Sequence, residues 1–230
     1  MALTASQIVT LATQAARCPG YTSQAGQLLN MILQELCQDY DFDAARTNYV
    51  FTLTQTSTTG PYPLPADFLR SKKDDFFYTL YGQPYFPVYY PQEEFDRFTV
   101  SPGLTDFPNA WTTDTSVSPV NLYVWPPSSG GYLATLRYFR LMPDISTPET
   151  SSIVPWFPST QYLRTRLTSE LMDLTDDERA GAFATKAENI LRRFLEMKDD
   201  PEGTVKRVAL DRRRFGVADN ALQQTKYLGW

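Results

Sequence analysis

The spacing of apolar residues changes twice along this chain of 230 residues, and these changes constrain the fold more than any other feature. Near both ends, apolar residues recur every three or four positions, which predicts amphipathic helices. Between about Thr47 and Phe157 they alternate in short runs broken by Pro and Gly, which predicts strands and turns. The order of helix pair, β-rich stretch, helix pair and tail predicts an α+β protein.

The first helix pair has clear boundaries in the sequence. Thr4 is a suitable N-cap for a helix that Pro19 and Gly20 bring to an end. A second helix is predicted to begin near Thr22. Its apolar residues form one stripe, namely Ala25, Leu28, Leu29, Ile32, Leu33 and Leu36. We expect the two helices to form a hairpin that buries this stripe.

The second helix pair follows Pro158. Ser159 can cap the first of these helices, and Thr175 with Glu178 has the pattern of a capping box at the start of the next. Because neither pair alone has much core, we predict that both pairs pack into one antiparallel bundle.

The predicted domain organisation follows from this packing. Residues 1–46 and 158–202 form the bundle, residues 47–157 form a β-rich insertion, and residues 203–230 form an extended C-terminal arm. Within the insertion, a strand is expected near Tyr49 to Leu53. Further elements are predicted as strands at 76–81, 85–90, 122–125 and 132–139 and a short helix at 92–98. The last two strands, joined by a Pro/Ser/Gly turn, indicate a β-hairpin.

The composition excludes several classes of enzyme. The chain contains no histidine, so it can hold neither a Ser-His-Asp set nor a His-ligated metal site. It also contains no phosphate-binding loop and no nucleophile elbow. The adjacent carboxylates at 74–75 and 93–94 show no separation across a sugar cleft. We therefore predict a protein that is not an enzyme and that needs no cofactor.

The acidic run from Asp39 to Asp43 resembles the beginning of a calcium loop. Ala44 stands where such a loop needs Gly, and Val50 stands where it needs a bidentate Glu. A solvated helix end is the better interpretation. Cys18 and Cys37, the only cysteines, are expected to be reduced packing residues in a cytoplasmic setting. The sequence has no apolar run of the roughly 20 residues that a membrane span requires, and we predict no membrane contact.

The arm combines basic and apolar residues. Residues 1–160 carry 8 Lys and Arg against 14 Asp and Glu, so the basic run in the arm stands out from an acidic body. It can be an ordinary solvated charge run, a DNA contact, or a docking peptide for a partner. The docking hypothesis involves Lys206, Arg207, Val208, Leu210, Arg212, Arg213, Arg214, Phe215, Leu228 and Trp230. Nearby acidic residues weaken the DNA interpretation.

The phrase Tyr-Pro-Leu-Pro-Ala-Asp-Phe at residues 62–68, directly after a predicted strand, resembles one in head-to-tail adaptor (connector) proteins of podovirus-type bacteriophages. Residues 122–127, followed by a strand, also fit that family. In this phrase Pro65 is expected to fix an extended turn, Asp67 to bond to nearby backbone amides, and Phe68 to anchor the turn in the core.

The resemblance implies a structural virion protein at the head–tail junction that is made in the host cytoplasm. Members form a twelvefold ring beneath the portal, with the C-terminal arm on the portal and the tail nozzle or tube below. The ring would continue the channel through which dsDNA passes without specific binding. One alternative is a tail-fibre or baseplate module that binds carbohydrate through Trp111 or Trp125. A carboxylate-dependent wall hydrolase is a third class.

Overall fold

The computed structural model describes residues 3–54, 60–99 and 105–198, and within them the chain is a mixed α+β protein. The helices are α1 (Ala5–Ala15), α2 (Thr22–Asp39), α3 (Gln92–Thr99), α4 (Thr160–Asp173) and α5 (Ala180–Lys198). The strands are β1 (Arg46–Leu53), β2 (Tyr62–Pro63), β3 (Phe68–Arg70), β4 (Phe76–Leu80), β5 (Gln83–Tyr85), β6 (Val88–Tyr89), β7 (Ala110–Asp114), β8 (Asn121–Trp125) and β9 (Tyr132–Arg140). The predicted α+β class is confirmed.

Helices α1, α2, α4 and α5 share one hydrophobic core. Ile8, Leu29, Leu163 and Ala187 each come from a different one of these helices, and all four side chains are completely buried or nearly so. The core therefore joins residues from both ends of the sequence, as the apolar periods require. An antiparallel bundle for these helices remains a prediction.

The predicted caps of two helices are confirmed. The Thr4 hydroxyl accepts from the amide of Gln7, and the Gln7 side chain accepts from the amide of Thr4, which completes a capping box. The Ser159 hydroxyl accepts from the amide of Tyr162 at the start of α4. These bonds satisfy backbone donors that have no partner inside the helix.

The predicted capping box at Thr175 and Glu178 is wrong. The Thr175 hydroxyl donates to the carbonyl oxygens of Leu171 and Met172, so it belongs to the end of α4. Helix α5 begins only at Ala180, after a turn in which Asp177 accepts from the amide of Arg179. The Thr175 hydroxyl therefore bonds to the helix that precedes it and does not cap the helix that follows.

The strands form two sheets. The first has the order β1-β9-β4-β5, with β3 also paired to β9, and all of its pairs are antiparallel. The second has the order β2-β8-β7-β6, in which β6 and β7 run parallel. The two sheets share a second hydrophobic core, in which Trp111 and Leu122 of one sheet meet Phe76 and Leu136 of the other.

The predicted hairpin between residues 122–125 and 132–139 is also wrong. Strand β8 pairs with β2 and β7, whereas β9 pairs with β1 over eight residues, from Arg46 opposite Phe139 to Leu53 opposite Tyr132. The predicted strand at 85–90 is divided into β5 and β6, which lie in different sheets. Strand β7, which carries Trp111, is an element that the sequence pattern did not indicate.

The segment 141–157, which follows β9, packs on the helices. The Asn30 side chain of α2 binds both backbone groups of Ile145, at 3.1 Å each. The amides of Ala5 and Ser6 donate to carbonyl oxygens of this segment, at Ile153 and Ser151. The segment therefore satisfies the first turn of α1 and carries Phe157 into the helical core.

Candidate interaction surfaces

The ten predicted docking residues of the arm lie outside the described residues, which end at Lys198. The structure does show what surrounds α5, the last described helix. The ring centroid of Phe194 in α5 lies 5.2 Å from that of Phe157 and 6.2 Å from that of Phe42. Phe42 itself precedes β1 by four residues. The C-terminal part of α5 therefore packs on the connection that joins the helical core to the first sheet.

The junction is held by Arg70 of β3, in an arrangement that we call the neck. The Arg70 guanidinium donates to the Asp41 carboxylate at 2.9 Å and to the carbonyl oxygens of Gln38 and Tyr40 at 2.6 and 2.9 Å. Lys72 also reaches the Asp41 carboxylate, at 3.2 Å. Since Gln38 and Tyr40 lie at the C-terminal end of α2, one side chain ties the sheet to carbonyls that a helix leaves unpaired.

Asp41 is the middle residue of the acidic run that was compared with a calcium loop. Its carboxylate is bound by Arg70 and Lys72 in the neck. Burial alone would raise the pKa of Asp41, but hydrogen bonds from Arg70 and Lys72 outweigh it, so the pKa lies below the usual value. A carboxyl whose pKa is lower in the folded than in the unfolded protein stabilises the fold at any pH above the unfolded-state pKa. This stabilisation is lost as the pH falls through the folded-state pKa. The neck is therefore expected to weaken only below about pH 4.

Replacing Arg70 by Ala is expected to lower the free energy of unfolding by about 1.5–3 kcal/mol at pH 7, because several charge-assisted hydrogen bonds are lost. The difference from the unchanged protein should shrink once the pH falls below the lowered pKa of Asp41, where the carboxyl is protonated in both proteins. Urea titrations followed by circular dichroism at both pH values measure this. Arg164→Ala, which removes an exposed arginine of α4, is the matched control and should stay within about 0.5 kcal/mol. Equal effects of the two substitutions would contradict the role of the neck.

The phrase at residues 62–68 has a structural role that differs in part from the expected one. The Asp67 carboxylate accepts from the Tyr138 hydroxyl at 2.8 Å, so the expected bonds from nearby amides to this side chain are wrong. Burial, and secondly the hydrogen bond to Asp67, raise the pKa of Tyr138 to about 12. Phe68 stacks on Tyr138, with ring centroids 5.5 Å apart, and packs against the second core.

The two tryptophans named for carbohydrate binding differ in their environment. Trp111 is completely buried between the sheets, in contact with Phe76 and Tyr89, and so offers no face to a sugar. Trp125 is half-buried. The more exposed aromatic group is Tyr81, which is 88% exposed at the turn between β4 and β5 and has a φ of 50°. That conformation is uncommon for a bulky residue.

Two shallow surface depressions in the described part hold no set of reactive groups. One, of about 430 Å³, lies on α1 and is lined by Leu3, Ser6, Gln7, Thr10, Leu11 and Gln14. The other, of about 250 Å³, lies between α2 and the segment 141–157 and includes one carboxylate, Glu149. Among residues 3–54, 60–99 and 105–198, no group of three or more acidic, His or Cys side chains could hold a metal ion.

Cys18 and Cys37 are both buried free thiols, as predicted, and burial raises the pKa of each. No helix in the described ranges has the length and apolar character needed to cross a membrane.

A comparison with protein families identifies the class of protein to which this chain belongs. The chain matches the SU10 adaptor protein family over residues 3–211, and it belongs to that family. The family assigns it a structural role as a phage adaptor, a virion component that contacts other virion proteins such as the portal and tail. The predicted adaptor resemblance is confirmed at this level. A search of the curated proteins finds no match.

Proposed function

We propose that this chain forms a ring at the head–tail junction of a podovirus-type phage, joins the portal to the tail nozzle or tube, and continues the DNA channel. The observation that carries this proposal is the family match, which starts before α1, passes through both cores and extends beyond α5 to residue 211. The match includes residues 203–211, the first part of the proposed arm. About twelve copies are expected in a closed ring of identical heterologous contacts.

The charge of the body supports passage of DNA without binding. Residues 3–198 carry 15 Lys and Arg and 21 Asp and Glu, a net charge of −6. Because phosphate neutralisation supplies most of the non-specific affinity for DNA, an acidic wall repels the duplex instead of holding it. Faces of the helices would meet between neighbouring copies.

The arm has the composition of a portal anchor. Between residues 204 and 215 it holds five basic side chains and one acidic one, interleaved with Val, Leu and Phe. Basic groups can pair with carboxylates of the portal while the apolar side chains and Trp230 fill pockets, which gives both orientation and affinity.

The anchor is tested with isolated portal rings and a variant that replaces Arg212, Arg213 and Arg214 by Ala. We expect binding to weaken about tenfold or more, because three charge pairs are lost, and the effect should shrink at high salt. The matched control replaces three exposed basic residues of the body, Lys73, Arg164 and Arg193, and should bind like the unchanged protein. Sedimentation of the rings measures the bound fraction. Equal weakening in both triple variants would show a general charge effect and contradict an arm-specific contact.

A further inference from the structure

Strand β1 has one paired edge and one free edge. It is eight residues long and pairs with β9 along its whole length. Within the described part of the chain, its other edge makes no backbone hydrogen bond. A strand of this length with open donors and acceptors is a template for another strand.

The free edge also lacks the features that usually protect such edges. Strand β1 contains no Pro and no Lys, and its pairing with β9 shows no bulge. Its one charged side chain, Arg46, is bound at 2.9 Å to Asp75, which lies just before β4 on the far side of β9. Tyr49 and Phe51 belong to the second core but remain only partly buried. An added strand would cover them.

The last described helix, α5, contacts the segment that leads into β1. Lys198 lies four residues beyond Phe194, a distance of about 6 Å along a helix. Phe194 contacts Phe42, and Phe42 stands four residues before β1. Five extended residues, 199–203, span up to about 17 Å, so the chain can reach the beginning of β1 without rearranging either core.

The sequence that follows is suited to the edge. Residues 204–210 read Thr-Val-Lys-Arg-Val-Ala-Leu, which includes three β-branched residues and no Pro or Gly. Asp39 and Asp43 lie exposed just before β1, and within the described residues neither forms an ion pair. They match Lys206 and Arg207 in charge.

We propose that in the free subunit residues 204–210 occupy the free edge of β1 as an additional strand. Starting from the helical end of the sheet, this strand would run parallel to β1. The pairing covers an edge that would otherwise promote aggregation, and it keeps the root of the arm on its own subunit. Since Lys206, Arg207, Val208 and Leu210 are also proposed portal contacts, portal binding would have to displace the strand. Only this release step rests on the proposed function.

Hydrogen exchange measured by mass spectrometry tests the pairing without any portal. Peptides that cover β1 are compared between the full chain and a chain that ends at Glu202. We expect the outward-facing amides of β1, which are every second one, to exchange about tenfold or more faster in the shortened chain. Peptides from β7 and β8, which are paired on both sides, should exchange equally in both chains.

Two variants make the test specific. Val208→Pro removes a backbone donor and cannot sit inside a paired strand, so it should reproduce the truncation. Val217→Pro, outside the proposed strand, should leave the exchange of β1 unchanged. Equal exchange of β1 in the full and shortened chains would overturn the proposal. Protection that increases with protein concentration would also overturn it, because the strand would then come from a second copy.

Failure of this test leaves the portal measurements untouched, so the two proposals are separable. If β1 exchanges equally in both chains while the full chain still binds portal rings, the adaptor role stands and the proposed pairing of residues 204–210 with β1 is wrong. If β1 is protected by the arm but no form binds a portal, the strand is right and the portal anchor is wrong.

Discussion

Replacing Phe157 by Ala is expected to lower the free energy of unfolding by about 3–5 kcal/mol. The Phe157 side chain is 1% exposed and lies at the centre of the helical core. Its ring contacts four other rings, those of Phe42, Trp156, Tyr162 and Phe194, with centroids 5.2 to 5.8 Å away. These partners come from the α2–β1 connection, the segment 141–157, α4 and α5, so the cavity would lie where these four parts of the chain meet.

Thermal and urea unfolding measure this effect, with Phe86→Ala as the matched control. Phe86 is 54% exposed, and the structure shows one ring contact for it, with Phe77. The same loss of atoms there should cost about 1 kcal/mol or less, because little apolar surface leaves a packed environment. A Phe157 variant as stable as the Phe86 variant would contradict the position of Phe157 in the core.

The second large effect is expected in the sheets, where Trp111→Ala should cost about 3–5 kcal/mol. The indole is completely buried, with ring centroids of Phe76 and Tyr89 at 5.3 and 5.0 Å. These two residues come from different sheets, so the indole joins the sheets across their shared core. Loss of the indole should therefore destabilise the packing of both sheets and not one strand alone.

The matched variant is Trp111→Phe. The indole nitrogen has no hydrogen-bond partner among the described residues, so replacing the ring by phenyl removes an unpaired buried donor while keeping most of the volume. We expect a cost of about 1.5 kcal/mol or less. Calorimetry of both variants is the measurement. An equally large loss for Phe would show that the nitrogen is bonded and that our description of this core is wrong.

The helices could be predicted from the sequence because their signals are local. Thr4 and Ser159 stand next to the helices they cap, and the apolar stripe of α2 repeats from Ala25 to Leu36. The capping box at Thr175 was predicted wrongly because its hydroxyl can bond either to the preceding helix or to the following one. The sequence does not show which of the two is closer. The carbonyl oxygens of Leu171 and Met172 in the preceding helix prevail.

Strand pairing could not be predicted, because the choice of partner is not local. Strands β8 and β9 are neighbours in sequence and are separated by a turn, yet eight paired residues with β1 place β9 in the other sheet. The neck joins Asp41 to Arg70, 29 residues away, and no periodic pattern connects them. Strand β7 was missed because Ala110, Trp111 and Thr112 are all buried, so no alternation appears.

For the function, the sequence pointed to the family and to the chemistry of the arm, whereas the structure describes the surroundings of α5, the helix that precedes the arm. The phrase at 62–68 is explained by packing, through the bond of Asp67 to Tyr138 and the stacking of Phe68. The roles that the structure shows for Asp67 and Phe68 are therefore internal to the fold. The docking residues from Lys206 to Trp230 remain a prediction.

The most direct test of the adaptor proposal is native mass spectrometry of the portal ring mixed with this protein, using the full chain and a chain that ends at Glu202. We expect the full chain to bind at about twelve copies per portal ring, as a closed ring of matching symmetry requires, and the shortened chain not to bind. Circular dichroism of both chains controls for folding. Absence of portal binding by the folded full chain would contradict the adaptor account, and binding by both chains would contradict the arm as the anchor.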